Sequence, residues 1–184
     1  MKITTGKYKF KKINFIKYKE LRPTSSKVRG AIFNILISQY GWENLSIRAN
    51  LLDAFSGTGI ITFESFSRNL KKATVIEYDT NIFNNLKKNI YDLKLCNKVT
   101  LINSNFFQVN LLENVFDIVY LDPPYSSNLT NLAINKILDE RALKSNALII
   151  SETNNKYNYE KSFIKYINIT KNYGSTSITF FKFN

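Results

Sequence analysis

Apolar and polar residues follow two different periods along this chain, and the changes of period predict its elements. From residue 50 onward, short apolar runs alternate with longer amphipathic stretches. Short apolar runs between polar residues are typical of buried strands, and apolar positions three and four residues apart are typical of helices. We predict strands at 50–54, 73–77, 99–103, 116–121 and 147–151, and helices at 60–69, 80–93 and 129–140.

The two ends of the chain show other patterns. Segments 164–170 and 177–183 predict a final antiparallel pair of strands, and residues 24–40 predict a helix. Basic and apolar residues alternate around Gly6 in residues 1–20, which predicts a small β-hairpin with one basic face. The alternation of strands and helices in the remainder predicts an α/β fold with a mostly parallel, doubly wound sheet.

Polar residues stand where several of the predicted strands end. Asp53, Glu77 and Asp122 each end or follow a strand, and Asn105 lies two residues beyond another. Ligands of open parallel sheets bind at the carboxyl ends of the strands. This agreement is the strongest argument from the residues alone for a ligand site.

A glycine turn follows the first of these strands. The run from Asp53 to Gly59 contains Gly57-Thr-Gly59, whereas the dinucleotide fingerprint needs a third glycine where Thr62 stands. Glu77 ends the next strand, where an acid can hold two ribose hydroxyls. The pattern favours a nucleoside pocket without a phosphate clamp, a shape that S-adenosylmethionine fits. Asp53 either orders the turn or contacts the methionine amine through water.

The sequence Asp122-Pro123-Pro124-Tyr125 follows another apolar run. Adjacent prolines end a strand abruptly and stiffen the following loop. Such a loop displays a carboxylate, carbonyl oxygens and an aromatic ring, which suits a planar group whose amine must be positioned for attack. The alternative is a strand that simply ends in a proline turn.

Composition narrows the function classes. The net charge of +12 favours a polyanionic partner, although AT-rich coding alone also raises the lysine content. The chain has no histidine and one cysteine, which excludes an internal disulfide, a cysteine-rich metal site and histidine-activated nucleophiles. No apolar run reaches about 18 residues and the N-terminus lacks an apolar signal core, so we expect a cytoplasmic protein.

These motifs resemble the class I S-adenosylmethionine-dependent methyltransferases. More narrowly, the chain is similar to bacterial enzymes that methylate the exocyclic N2 of a guanine in 16S ribosomal RNA. Besides the glycine turn and Asp-Pro-Pro-Tyr, the resemblance rests on residues 1–9, 21–29, 31–36 and 173–176, and so covers nearly the whole chain. Two positions depart from the family pattern, since Phe10 replaces glycine and Asn105 stands where aspartate is frequent.

The resemblance implies a Rossmann-like fold with a seven-stranded sheet, an antiparallel C-terminal strand and a hairpin extension at 1–20 before the domain at 21–184. It implies catalytic roles for Asp122, Pro123 and Tyr125. The implied cofactor contacts are Asp53, Phe55, Gly57, Gly59, Glu77, Asn105 and Phe106. The resemblance implies RNA contacts at Arg22, Thr24 and Arg29, and the crowding of lysines in the first twenty residues adds expected phosphate contacts at Lys7, Lys9, Lys11 and Lys12.

The expected cofactor is S-adenosylmethionine and the expected partner is 16S ribosomal RNA, within a small-subunit particle. We expect a monomer that needs neither a metal nor a membrane. Two alternatives stay open: an adenine-N6 methyltransferase of DNA or RNA, and a noncatalytic RNA-binding factor of ribosome assembly. The first usually needs a sizeable target-recognition insertion, for which the chain has no room.

Overall fold

Three parallel strands and their crossover helices make up the first part of the molecule. The structure is a computed structural model that describes residues 1–16, 24–124 and 128–183. The chain divides into two compact units, Met1–Phe106 and Phe107–Asn184. The elements of the first unit are α1 (Ser26–Tyr40), α2 (Trp42–Ser46), β1 (Asn50–Asp53), α3 (Ile60–Ser67), β2 (Lys72–Glu77), α4 (Thr80–Asp92) and β3 (Val99–Asn103), followed by a 3₁₀ turn at Phe106–Gln108.

Local sequence signals explain where these helices begin and end. The Ser25 hydroxyl accepts a hydrogen bond from the Val28 amide at the start of α1, and Gly41 adopts φ 60° at its end. The Asp79 carboxylate caps α4 by accepting from the amides of Asn81 and Ile82. β2 pairs in parallel with both β1 and β3, which gives the predicted β-α-β pattern.

The second unit combines one parallel and two antiparallel strand pairs. Its elements are β4 (Phe116–Leu121), α5 (Leu129–Asp139), β5 (Leu143–Asn154), α6 (Lys161–Ile164), β6 (Ile167–Tyr173) and β7 (Thr176–Lys182). β4 and β5 are parallel, whereas β7 runs antiparallel to both β5 and β6. The final antiparallel pair is therefore present as predicted.

Within the described residues the sheet has seven strands in the order β3-β2-β1-β4-β5-β7-β6, so the predicted fold class is confirmed. β5 begins at Leu143, four residues before the predicted start. The prediction missed residues 143–146 because they are half-buried or exposed and lack an apolar pattern. Asn146 adopts φ 62° where the register against β4 is irregular, and the buried run starts only at the next residue. The short helices α2 and α6 have too few turns for a periodic signal and were not predicted.

The N-terminal segment folds back on itself less regularly than predicted. The expected hairpin is reduced to one isolated antiparallel bridge between Lys2 and Lys12, while Ile3 and Ile13 are buried. Gly6 adopts φ 82°, and a Cβ atom there would lie 1.9 Å from the carbonyl oxygen of Ser67 in α3. This close approach fixes the segment against α3. The proposed boundary near residue 20 falls outside the described residues and stays a prediction.

None of the helices in the described ranges combines the length and the apolarity that a membrane span requires.

Candidate functional site

The glycine turn after β1 is built for close packing. Gly57 and Gly59 adopt φ 50° and φ 69°, values that favour glycine. A Cβ atom at Gly59 would lie 2.5 Å from Leu86 Cδ2 of α4. The Gly59 amide also donates to the Ser56 carbonyl at 2.7 Å, which closes the turn. The predicted turn glycines are therefore required by the backbone, and the turn leads directly into α3.

Glu77, at the end of β2, is tied to this turn. Its Oε2 accepts a 2.9 Å hydrogen bond from the Gly57 amide, and its Oε1 accepts one of 2.9 Å from the Asp79 amide. Each carboxylate oxygen has a further lone pair, so both ribose hydroxyls of a nucleoside can still be accommodated. Burial raises the pKa of Glu77 above its ordinary value, the two amides oppose this shift, and the Asp79 carboxylate adds to it.

Asp53, at the end of β1, is almost completely buried. Its Oδ2 accepts a 2.6 Å hydrogen bond from the Thr62 hydroxyl on α3. Burial raises the pKa of Asp53 to about 7, the Thr62 hydroxyl lowers it, and the negative charge of Glu77 raises it further. Thr62, which replaces the third glycine of the dinucleotide fingerprint, therefore orients the Asp53 carboxylate through this hydrogen bond.

Two buried oxygens beside the turn have no hydrogen-bond partner among the described residues. They are Asp53 Oδ1 and Ser56 Oγ. An unsatisfied buried polar atom is costly unless a ligand or water satisfies it. A carboxylate and a hydroxyl together suit a ligand ammonium group, since both accept hydrogen bonds. The residues present therefore fit a nucleoside that has an amino-acid tail, and Ser56 is a candidate that sequence reasoning missed.

Residues beyond β3 form the third part of this region. Phe106 is buried and its ring lies 5.2 Å from that of Phe55, measured between centroids. Asn105 is exposed, which leaves it accessible to a ligand base. Asn103 was not predicted; its Nδ2 donates to the carbonyl oxygens of Glu77 and Tyr78 and so fixes the end of β2.

The acid-proline loop belongs to the second unit. Asp122 is half-buried, Pro123 is buried and Pro124 is exposed directly after β4. Two residues before Asp122, in β4, the Tyr120 hydroxyl donates a buried 2.7 Å hydrogen bond to Glu152 Oε2 near the end of β5. Sequence reasoning missed this pair, because a tyrosine in an apolar run gives no signal of its partner. Tyr125 lies outside the described residues.

Two predicted RNA contacts are buried. Arg29 is 5% exposed, and its guanidinium group donates to Glu64 Oε1 at 3.3 Å and to the Thr24 carbonyl at 2.8 Å. Arg68 also pairs with Glu64, at 2.5 Å. These contacts give the buried Arg29 guanidinium group a structural role, which makes a contact with phosphate unfavourable, and its predicted contact with RNA stays a prediction. Thr24 is 6% exposed as well.

The remaining basic candidates lie on the surface of the N-terminal segment. The lysines at 7, 9, 11 and 12 are all exposed, and their contact with RNA stays a prediction. Arg22 lies outside the described residues. In the described part of the chain, no cluster of three acidic, histidine or cysteine side chains is arranged to hold a metal ion.

A mostly parallel sheet with an acid-bound glycine turn and an antiparallel C-terminal pair defines the Rossmann-like methyltransferase fold. Solved structures agree. A putative methyltransferase from Escherichia coli superposes with a TM-score of 0.82 and 28% identity over 99% of this chain and 97% of that one. An RNA methyltransferase from Salinibacter ruber, solved with S-adenosylhomocysteine, shares the fold with a TM-score of 0.65 and 16% identity, over 88% of this chain and 93% of that one.

Sequence comparisons identify the family. The model of the family described as conserved hypothetical protein 95 matches residues 1–182. The ribosomal RNA small subunit methyltransferase D of Haemophilus influenzae is 34% identical over 83% of this chain and 78% of its own length. The protein of the same name from Buchnera aphidicola is 34% identical over 86% of this chain and 78% of its own length. The chain belongs to this family of methyltransferases.

Proposed function

We propose that this protein transfers a methyl group from S-adenosylmethionine to the exocyclic N2 of a guanine in 16S ribosomal RNA. The relatives that share the family are named for methylation of small-subunit ribosomal RNA. The Asp-Pro-Pro-Tyr sequence supports an amino group as acceptor. The charge of +12 supports a nucleic acid as substrate.

Different residues of the first unit contact the ribose, the methionine tail and the adenine of the cofactor. Glu77 holds the ribose hydroxyls, while Asp53 and Ser56 take the methionine ammonium group. Asn105 and Phe106 border the adenine. The bound cofactor supplies a methyl group on a sulfonium, which is already a strong electrophile. The protein therefore needs no metal to activate the donor.

The acceptor amino group must be activated by the protein, whereas the methyl donor is reactive already. The lone pair of guanine N2 is delocalised into the ring, so the amino group is a poor nucleophile. In the proposal, the Asp122 carboxylate and the Pro123 carbonyl oxygen accept the two amino hydrogens. They thereby stabilise the positive charge that develops on nitrogen. Tyr125 stacks on the base, and alignment of the reactants supplies much of the remaining rate.

The step balances without another reactant. With S-adenosylmethionine bound, the N2 lone pair would form the new bond to the methyl carbon as the carbon–sulfur bond breaks, and the sulfur would keep that electron pair. The products are S-adenosylhomocysteine and a protonated N2-methyl amine. The amine then loses one proton to Asp122 or to water.

The observation that carries the proposal is the hydrogen bond between the Gly57 amide and Glu77. It joins the glycine turn after β1 to the acid that ends β2, the pairing that a ribose-binding pocket needs. Asp53 beside it keeps a buried oxygen to which no other described group donates. The unsatisfied Asp53 oxygen would be unexplained in a protein that only binds RNA.

Mapping the product tests the proposal. Small-subunit particles and naked 16S RNA from cells that lack this protein are incubated with the purified chain and labelled S-adenosylmethionine. The RNA is then cut with a base-specific ribonuclease, the methylated fragment is located by mass spectrometry, and its modified nucleoside is identified after complete digestion. N2-methylguanosine at one position is the expected product. N6-methyladenosine would instead establish the adenine alternative, and binding without transfer would establish the assembly-factor alternative.

A further inference from the structure

Phe10 is an exposed aromatic ring at the surface of the basic N-terminal segment. Its side chain is 68% exposed, and the lysines at 7, 9, 11 and 12 that surround it in sequence are exposed too. The ammonium group of Lys9 lies 4.8 Å from the centroid of the Phe10 ring. A ring so accessible has no role in the core.

The backbone at Phe10 is strained. Its φ is 66°, a left-handed conformation that a side chain with a Cβ atom rarely adopts. Hydrogen bonds on both sides of the residue hold it there. The Phe10 amide donates to the Ile3 carbonyl at 2.9 Å, and the Ile3 amide donates to the Lys11 carbonyl at 3.1 Å. Strained residues that their surroundings hold in place are frequent at ligand-binding positions.

The segment that presents Phe10 is anchored firmly to α3. The Lys7 amide donates to the Ser67 carbonyl at 2.7 Å, and the Tyr8 amide donates to the Ser67 hydroxyl at 2.9 Å. Thr4 binds both oxygens of the buried Glu64 carboxylate. The exposed ring is therefore presented by a segment that is fixed at several points, so little ordering is needed when a partner binds.

We propose that Phe10 stacks on an unpaired base of the RNA substrate, while the neighbouring lysines bind the phosphates on either side. Every base has a face that an aromatic ring can stack on, and single-stranded RNA is bound by such rings within a basic surface. Because the Lys9 ammonium lies over one face of the ring, the base stacks on the opposite face, and Lys9 can bind the phosphate of an adjoining nucleotide. This inference rests on the proposed RNA substrate and adds the single-stranded character of the contact.

The test measures affinity by fluorescence anisotropy for two labelled RNAs of about 12 nucleotides, an unstructured oligouridine and a blunt duplex. Phe10→Leu and Phe10→Gly should each weaken binding of the oligouridine about tenfold and change binding of the duplex by less than about twofold. The slope of log affinity against log salt should stay as in the parent, because stacking releases no counterions. Phe10→Trp should retain the affinity for the oligouridine.

Two features separate stacking from a structural role. Phe10→Gly removes the strained side-chain conformation, so its melting temperature should rise even as its RNA affinity falls. Tyr91→Leu, at another exposed aromatic of the same unit, is the matched control and should bind both RNAs like the parent. S-adenosylmethionine binding should be equal in all of these variants.

Each other outcome overturns the inference. Parent-like binding of oligouridine by Phe10→Leu and Phe10→Gly excludes stacking, while methylation by the parent would leave the proposed function intact. Equal losses for oligouridine and duplex would show that Phe10 only places the lysines. If the parent itself binds neither RNA and methylates no ribosomal RNA, the proposed function fails together with this inference.

Discussion

The amide of Gly57 donates to the carboxylate of Glu77 at 2.9 Å, across a separation of 20 residues. This bond makes the acid a part of the glycine turn as well as a candidate ligand for ribose. Because the Asp79 amide binds the other carboxylate oxygen, Glu77 is held in one orientation before any ligand arrives. Preorganisation of this kind lowers the cost of binding.

Glu77→Gln should weaken S-adenosylmethionine binding about tenfold or more. An amide cannot accept from both the backbone and two ribose hydroxyls, and loss of a charge-assisted contact costs about 1.5–3 kcal/mol. Isothermal titration calorimetry measures the effect. Glu43→Gln, at an exposed acid of the same unit, is the control and should bind like the parent. Equal affinities for the Glu77 and Glu43 variants would remove Glu77 from the site.

The contribution of Asp53 to the stability of the ligand-free protein should fall as the pH rises from about 4 to about 7. Asp53 has a folded-state pKa of about 7 against an ordinary value of 3.8, so between these values the folded state binds the extra proton. The raised pKa of Glu77 acts in the same direction. The stabilising contribution of Asp53 is fully present at the acidic side of this window and is lost as the pH rises through about 7. Melting curves across the window should be flatter for Asp53→Asn.

Cofactor affinity should rise with pH, whereas the contribution of Asp53 to stability falls. If the ligand ammonium pairs with ionised Asp53, binding favours loss of the proton, and affinity rises by up to about tenfold per pH unit until the pH passes about 7. Calorimetry in buffers of different ionisation enthalpy detects the released proton. The proton release should shrink in Asp53→Asn. Proton release of equal size in parent and variant would assign the ammonium to another group.

Asp122→Ala should keep cofactor affinity and lower the rate of methyl transfer about 10²-fold or more. The carboxylate stabilises charge that appears on the acceptor nitrogen during the reaction, and loss of such a group typically has this cost. Single-turnover transfer of labelled methyl to small-subunit RNA gives the rate. Asp139→Ala, at an exposed acid that ends α5, is the control. Near-normal transfer by the Asp122 variant would revive the assembly-factor alternative.

The four N-terminal lysines should dominate the salt dependence of RNA binding. Each phosphate contact contributes a slope of about −0.7 to −0.9 to log affinity against log salt. Replacing Lys7, Lys9, Lys11 and Lys12 by Gln should flatten this slope and weaken binding for all sequences. The control replaces four exposed lysines elsewhere: Lys87, Lys88, Lys156 and Lys161. Lys136 and Lys144 are not used in the control. Lys136 pairs with Glu140 and Lys144 pairs with Asp117, so replacing them would also remove an ion pair. Equal losses in both quadruple variants would mean that only net charge matters.

Arg29→Met should destabilise the fold by about 1.5–3 kcal/mol, the cost of one charge-assisted contact, because Arg68 and Thr4 still bind the Glu64 carboxylate. Its guanidinium group links Glu64 of α3 to the carbonyl oxygens of Thr24 and Lys2. Urea unfolding measures the loss. The folded fraction should bind RNA with parental affinity, because Arg29 is not at the surface. A selective loss of RNA affinity without loss of stability would instead support the predicted RNA contact of Arg29.

The sequence by itself determined the strand–helix order and the acids at the strand ends. Periodicity and turn glycines are local features, so Gly57 and Gly59 could be found without the fold. At Phe10 the resemblance showed only a departure from glycine, and the structure added the reason for the family's glycine, a φ of 66°.

Only the tertiary structure decided which charged groups are buried and what they contact. Arg29 and Glu64 are 35 residues apart, and nothing in either local sequence shows that they meet in the interior. The raised pKa of Asp53 likewise depends on burial and on the charge of Glu77, which comes from the next strand. Burial and electrostatic coupling arise from groups that are distant in sequence and close in space, so the chain's pattern predicts the positions of these residues and packing determines their roles.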